Sequence, residues 1–221
     1  MAKIIAIVGE TGSGKSTSIR TMDPKDTYIV SVAGKELPFK GSEKTYNREN
    51  KNYKAVDNAP EILTLIKTLA ADYPNIKNVV IDDANYIMGF DLVNKASEVG
   101  YKKFNILALN MVNLIQEVKK LRDDLIIYYF THSEEVEDSG EIITYKFKTA
   151  GKMLDNQINL PGLFTVVMYA YVETTGEKSD YYFLTNRYKK FPSKSPDGMF
   201  STIKVPNDLK LISDTIREYY K

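Results

Sequence analysis

The segment Gly9-Glu10-Thr11-Gly12-Ser13-Gly14-Lys15-Ser16, preceded by the apolar run Lys3-Ile4-Ile5-Ala6-Ile7-Val8, constrains this chain more than any other feature. It satisfies G-x-x-x-x-G-K-[ST] at every fixed position, in the strand-then-helix context a P-loop requires. The pattern has a physical logic. Glycines at 9, 12 and 14 let the backbone take φ > 0 and turn its N–H groups inward on an anion. Gly14-Lys15 opens a helix whose positive end adds to that field. Lys15 can reach the β- and γ-phosphates, and the Ser16 hydroxyl can ligate Mg²⁺. Residues Gly9 to Ser16, with Thr17 after them, are therefore the expected phosphate-binding set. A nucleoside triphosphate, ATP by default, with Mg²⁺ is the implied ligand.

A second element fits the first. The apolar stretch Asn78–Ile81 delivers Asp82-Asp83, as a Walker B strand delivers its carboxylate. Asp82 is the expected Mg²⁺ partner beside Ser16, since a hard cation prefers oxygen. Asp83 is a candidate base or orienter for the attacking water. Glu36, just after the second expected strand (Thr27–Val32), is its rival. His132, the sole histidine, ends the buried run Leu125–Thr131. There it would point into the crevice where open α/β sheets bind ligands, in reach of a γ-phosphate. Arg187, in the basic stretch Asn186-Arg187-Tyr188-Lys189-Lys190, is a candidate finger for a neighbouring subunit's site.

The rest of the pattern predicts an α/β fold: a P-loop domain with a mostly parallel central sheet flanked by helices. A hairpin of Leu163–Glu173 and Asp180–Thr185 should add antiparallel strands at one edge. The first helix should run from Lys15 to Thr21 and stop at Asp23-Pro24. Helices are also expected from Pro60, across Ala84–Asp124 with a break near Gly100, and over Leu209–Tyr220. Gly151–Leu160 reads as a short helix or ordered loop. Residues 33–58 read as a long polar segment in which Tyr46 and Tyr53 interleave with lysines, either a solvated excursion or a stacking groove for single strands. The acidic run Glu134 to Glu141 surrounds a Ser139-Gly140 turn. With 221 residues, one domain over 1–221 suffices. Thirty basic against 29 acidic residues leave a net charge of +1, which excludes strong attraction of the whole chain to polyanions or membranes. The absence of cysteine excludes disulfides and fits a reducing compartment, so a cytoplasmic location is expected.

On these residues the sequence resembles a family of bacteriophage nucleotide-binding proteins with a RecA-like ATPase core, related to phage recombinases that work with single-strand annealing proteins. The resemblance is carried by the P-loop, Val30-Ser31-Val32-Ala33-Gly34-Lys35, Val79–Asp83, Thr131-His132, Gly151-Lys152, Thr185-Asn186-Arg187 and Lys194-Ser195-Pro196-Asp197-Gly198-Met199-Phe200. It implies ATP·Mg²⁺ hydrolysis, DNA recombination, homo-oligomers with the site near a subunit boundary, and binding to single-stranded DNA. It also implies a single-strand annealing or replication protein as partner in the host cytoplasm; no membrane is expected, since no apolar run approaches the length of a span. The alternatives are a nucleotide-gated adaptor or loader that hydrolyses slowly and, with less support from the scattered arginines, a small-molecule kinase.

Overall fold

The computed structural model describes residues 1–97, 102–149 and 158–221. The strand Lys3–Val8 (β1) is buried at every position after the first, as a central strand covered on both faces must be. It lies between β5 (Ile126–Thr131) and β8 (Val166–Thr175) and is parallel to both. Outward from β5 come β4 (Asn78–Asp82), β2 (Thr27–Ser31) and β3 (Tyr53–Ala55), all parallel. Outward from β8 come β9 (Lys178–Leu184) and β10 (Lys204–Pro206), each antiparallel to its neighbour. The resulting order is β10-β9-β8-β1-β5-β4-β2-β3. This is the expected fold class: a mostly parallel sheet flanked by helices, with antiparallel strands at one edge.

The alternation of β1 divides the core. Ile4, Ala6 and Val8 face a layer made by α2 (Ala59–Asp72), α3 (Tyr86–Asn94) and α4 (Lys102–Val118). Ile5 and Ile7 face the opposite layer, where Ile19 follows the P-loop and Ile212 and Ile216 project from α5 (Leu209–Tyr219). Each fully buried isoleucine here contributes about 1.5–3 kcal/mol. Helix starts follow local chemistry. Asn58 caps α2 by accepting from the Glu61 N–H at 3.0 Å, and Asp208 caps α5 by accepting from the Leu211 N–H at 3.0 Å.

Two expectations need correction, and the turn expected at Ser139-Gly140 is present. The element after the P-loop, Ser16–Thr21, is a 3-10 helix, so the macrodipole expected there is short and the loop amides themselves must carry anion binding. Residues 33–58 are only partly a solvated excursion. Leu37 and Tyr46 are buried in the core layer on either side of the one-turn helix α1 (Ser42–Thr45), the Tyr46 ring meets Phe39 edge-on, and β3 extends the sheet. A buried Tyr46 cannot stack on a nucleic-acid base. The acidic run forms a separate hairpin of β6 (Ser133–Asp138) and β7 (Glu141–Phe147), off the main sheet. Its turn residues Ser139 and Gly140 both have positive φ, which matches a tight two-residue connection. The expected break near Gly100 and the Gly151-Lys152 part of the resemblance lie outside the described residues.

Candidate functional site

The P-loop leaves the carboxyl end of β1 and is held there by β5. The Gly9 N–H donates to Thr131 O at 3.2 Å, and the Ser133 N–H donates to Gly9 O at 3.3 Å. Ser13 tightens the turn by donating through its hydroxyl to Glu10 O at 2.7 Å. Gly12 and Gly14 take φ of 81° and 87°, conformations closed to other residues without strain. Among the described residues, the Gly12, Gly14 and Lys15 N–H groups meet no acceptor, which leaves them for an anion. Lys15 folds over this cradle and donates to Gly9 O at 2.6 Å and Glu10 O at 2.8 Å. Burial pulls its ammonium down to about 8, against the opposing fields of Asp83 and Asp82. Glu10, Thr11 and Gly12 are exposed at the tip of the loop, and Ser16 and Thr17 are half-buried behind it.

Asp82 ends β4 two strands away, yet the Ser16 hydroxyl donates to its Oδ1 at 2.7 Å. The carboxylate is almost wholly buried. Desolvation and the adjacent Asp83 charge push it up to about 6, although Ser16, Lys35 and Lys15 pull the other way. A buried carboxylate bonded to one hydroxyl at the mouth of a phosphate cradle fits a hard cation that takes one or two protein oxygens and completes its shell from phosphate and water. Ser16 and Asp82 would hold it.

Asp83 adopts φ 61°, a conformation that costs a non-glycine residue about 1–2 kcal/mol. That turn leaves the side chain buried between Lys35 and His132. Lys35 Nζ lies 2.5 Å from its Oδ2, and His132 Nε2 lies 3.4 Å from its Oδ1. Burial alone would raise the Asp83 carboxyl, but His132 and Lys35 hold it below the usual carboxylate range. His132 is itself fixed: its backbone N–H donates to Asn85 Oδ1 at 3.3 Å and Tyr86 meets its ring edge-on. The structure thus brings together Lys15, Ser16, Asp82, Asp83 and His132. Glu36 is exposed and borders a shallow recess with Tyr46 and Arg48, with no contact joining it to the carboxylate pair among the described residues. Arg187 is exposed on the turn after β9, without an ion pair or hydrogen bond among the described residues.

Sequence reasoning gave no role to Lys35, although it holds Asp83. It sits in the loop after β2, the neighbour of β4, and its carbonyl accepts from Ser31 Oγ at 3.3 Å and Tyr53 OH at 3.4 Å. A lysine just beyond a strand that flanks the acidic strand was the available signal. Asn207, which no local motif marks, braces the P-loop from far along the chain. Its Nδ2 donates to Gly14 O at 3.2 Å, and its Oδ1 accepts from Arg20 at 3.2 Å.

No curated protein shows a significant match to the chain. Among solved structures, a KaiC-like protein from the hyperthermophilic archaeon Pyrococcus horikoshii OT3 is similar at 13% identity and a TM-score of 0.49, covering 88% of this chain and 82% of that one. No helix among the described residues is long and apolar enough to cross a membrane. A family model described as an AAA domain matches residues 1–196, and it supports nucleotide binding and hydrolysis. Because that match takes in the P-loop, the Asp82 strand and His132, the chain belongs to this AAA-domain family.

Proposed function

We propose that this chain is a Mg²⁺-dependent ATPase that acts as an oligomer on single-stranded DNA during recombination. The observation that carries the ATPase reading is the Ser16–Asp82 hydrogen bond at 2.7 Å beside a P-loop whose lysine lies over it. In this reading the loop amides and Lys15 bind the triphosphate, and Lys15 exchanges its two carbonyl acceptors for phosphate oxygens. Ser16 and Asp82 would hold Mg²⁺, which would supply neutralisation of the phosphate charge. Hydrolysis moves the γ-phosphoryl group to water as the bond to the bridging oxygen breaks. Asp83 orients that water, with Lys35 and His132 setting its charge and direction. The burial of Asp83 among these groups favours it over Glu36. The activity is placed in the cytoplasm of the host cell.

The recombination reading rests on the resemblance of the residue motifs and on a lysine-tyrosine strip at the β10 edge, where Lys204 also pairs with Glu173. There Lys204 lies 5.0 Å from the Tyr188 ring centroid and 5.2 Å from that of Tyr171, and Lys189 lies 5.1 Å from the Tyr188 ring. Such a strip suits a single strand. The exposed Arg187 is available to a neighbouring copy's site. A second reading, a nucleotide-gated adaptor for an annealing or replication protein, is favoured by the exposed acidic hairpin β6–β7, which repels a polyanion and suits a protein partner.

The test is steady-state ATP hydrolysis with and without single-stranded DNA, with Lys15→Ala as control. Turnover stimulated by DNA and lost in the variant supports the recombination reading. Turnover indifferent to DNA favours the adaptor. Turnover unchanged in the variant refutes the site.

A further inference from the structure

The P-loop has two flanks, which the sheet sets apart. The strand order places Asp82 on β4, two strands from β1 on one side, and β9 two strands from β1 on the other. The terminal phosphate and its cation belong with Ser16, Asp82, Asp83 and Lys35. For a nucleotide whose γ-phosphate lies there, the side past Gly14 toward β9 is the one left for its ribose and base.

The side chain waiting on that side is Tyr181. A Cβ placed on Gly14 would come within 3.0 Å of Tyr181 Cδ1, so the ring flanks the P-loop backbone itself. Tyr181 nevertheless remains 43% exposed. Phe183, two residues along β9 on the same face, is fully buried in the layer that holds Ile19, which anchors the strand beneath the exposed ring. Among the described residues, Tyr181 has no aromatic or cation partner for its ring. The backbone around it is braced. Asn207 donates through its N–H to Tyr181 O at 3.1 Å and through Nδ2 to Gly14 O at 3.2 Å, and Arg20 donates to Asn207 Oδ1 and O at 3.2 Å each. Helix Ser16–Thr21, the P-loop and β9 are tied into one unit around an open aromatic ring. A rigid ring with an open surface stacks a base at little entropic cost.

We propose that Tyr181 is the nucleobase platform of this site: the base of a bound nucleoside triphosphate stacks on its exposed ring, while its triphosphate lies on the P-loop. This rests on the reading of the P-loop as the nucleotide site, and the test separates the two. Calorimetric titration of the full chain with Mg·ATP, and separately with Mg·tripolyphosphate, distinguishes base from phosphate recognition. Tyr181→Ala is expected to weaken Mg·ATP by about 5- to 150-fold, the range for loss of one base–aromatic stack, and to leave tripolyphosphate unchanged. Tyr181→Leu, which keeps apolar bulk beside Gly14, should lose ATP affinity likewise, whereas Tyr181→Phe should stay within about twofold. Equal loss of both ligands in the Ala and Leu variants would overturn the platform and reduce Tyr181 to a support of the P-loop turn. Unchanged ATP affinity in both would overturn it too. If Lys15→Ala binds both ligands as the wild type does, the P-loop reading has failed, independently of Tyr181.

Discussion

On the β4 side of the P-loop, Asp82, Asp83, Lys35 and His132 crowd into a charged cluster with one strained backbone and two carboxylates almost wholly out of water. On the β9 side the groups are Tyr181, Asn207 and Arg20, joined by hydrogen bonds to backbone and amide oxygens, with no carboxylate in contact among the described residues. The first arrangement is poised to respond to charge, since burial amplifies each field. The second is poised to hold a shape. A nucleotide laid between them would meet chemistry at one end and fit at the other. Changes at the β4 side should therefore alter turnover, and changes at the β9 side should alter affinity.

The largest effect is expected for Asp83→Asn, which should lower kcat by about 10²- to 10⁴-fold with KM for Mg·ATP within about threefold. Glu36→Gln in the same assay should change kcat by less than about threefold. The opposite result for the pair would transfer the water-orienting role to Glu36. Gly14→Ala probes the place where the two ends meet. Its Cβ would press on Tyr181 and Asn207 at φ 87°, so Mg·ATP affinity should fall at least about tenfold, and thermal unfolding should move down by about 2–8 °C. Retained affinity would show that the β9 side does not shape the cradle. Lys35→Met should have the smallest effect on stability. The ammonium is half in solvent, so its pairing is screened, and Tm should fall by only about 1–3 °C. In the Asp83→Asn background the same change should cost nothing further, because the partner charge is already gone. An undiminished cost there would separate Lys35 from Asp83.

The chemistry of the β4 side was largely legible in the sequence because its parts are local. Gly9 to Ser16 is one continuous segment, and Asp82 follows four buried residues of one strand. The β9 side was not legible, since Tyr181 and Asn207 reach Gly14 across 167 and 193 residues through a hairpin and a strand return. Lys35 is intermediate: it was visible as a residue, but its partner is set by β2 lying next to β4. The same distinction explains the fold. The periodic helices and apolar strands were readable, whereas residues 33–58 looked solvated because isolated anchors such as Leu37 and Tyr46 leave no period in a charged segment. The 3-10 geometry after the P-loop had no sequence signal, as a six-residue helix is too short to distinguish 3.0 from 3.6 residues per turn.

The central claim is that the P-loop with Ser16 and Asp82 is the site of nucleotide binding, and equilibrium titration of Mg·ATP into wild type and Lys15→Ala tests it most directly. The account predicts saturable, Mg²⁺-dependent binding by the wild type, weakened by at least about 100-fold in the variant, with circular dichroism unchanged between them. Equal affinity of the two proteins would contradict it.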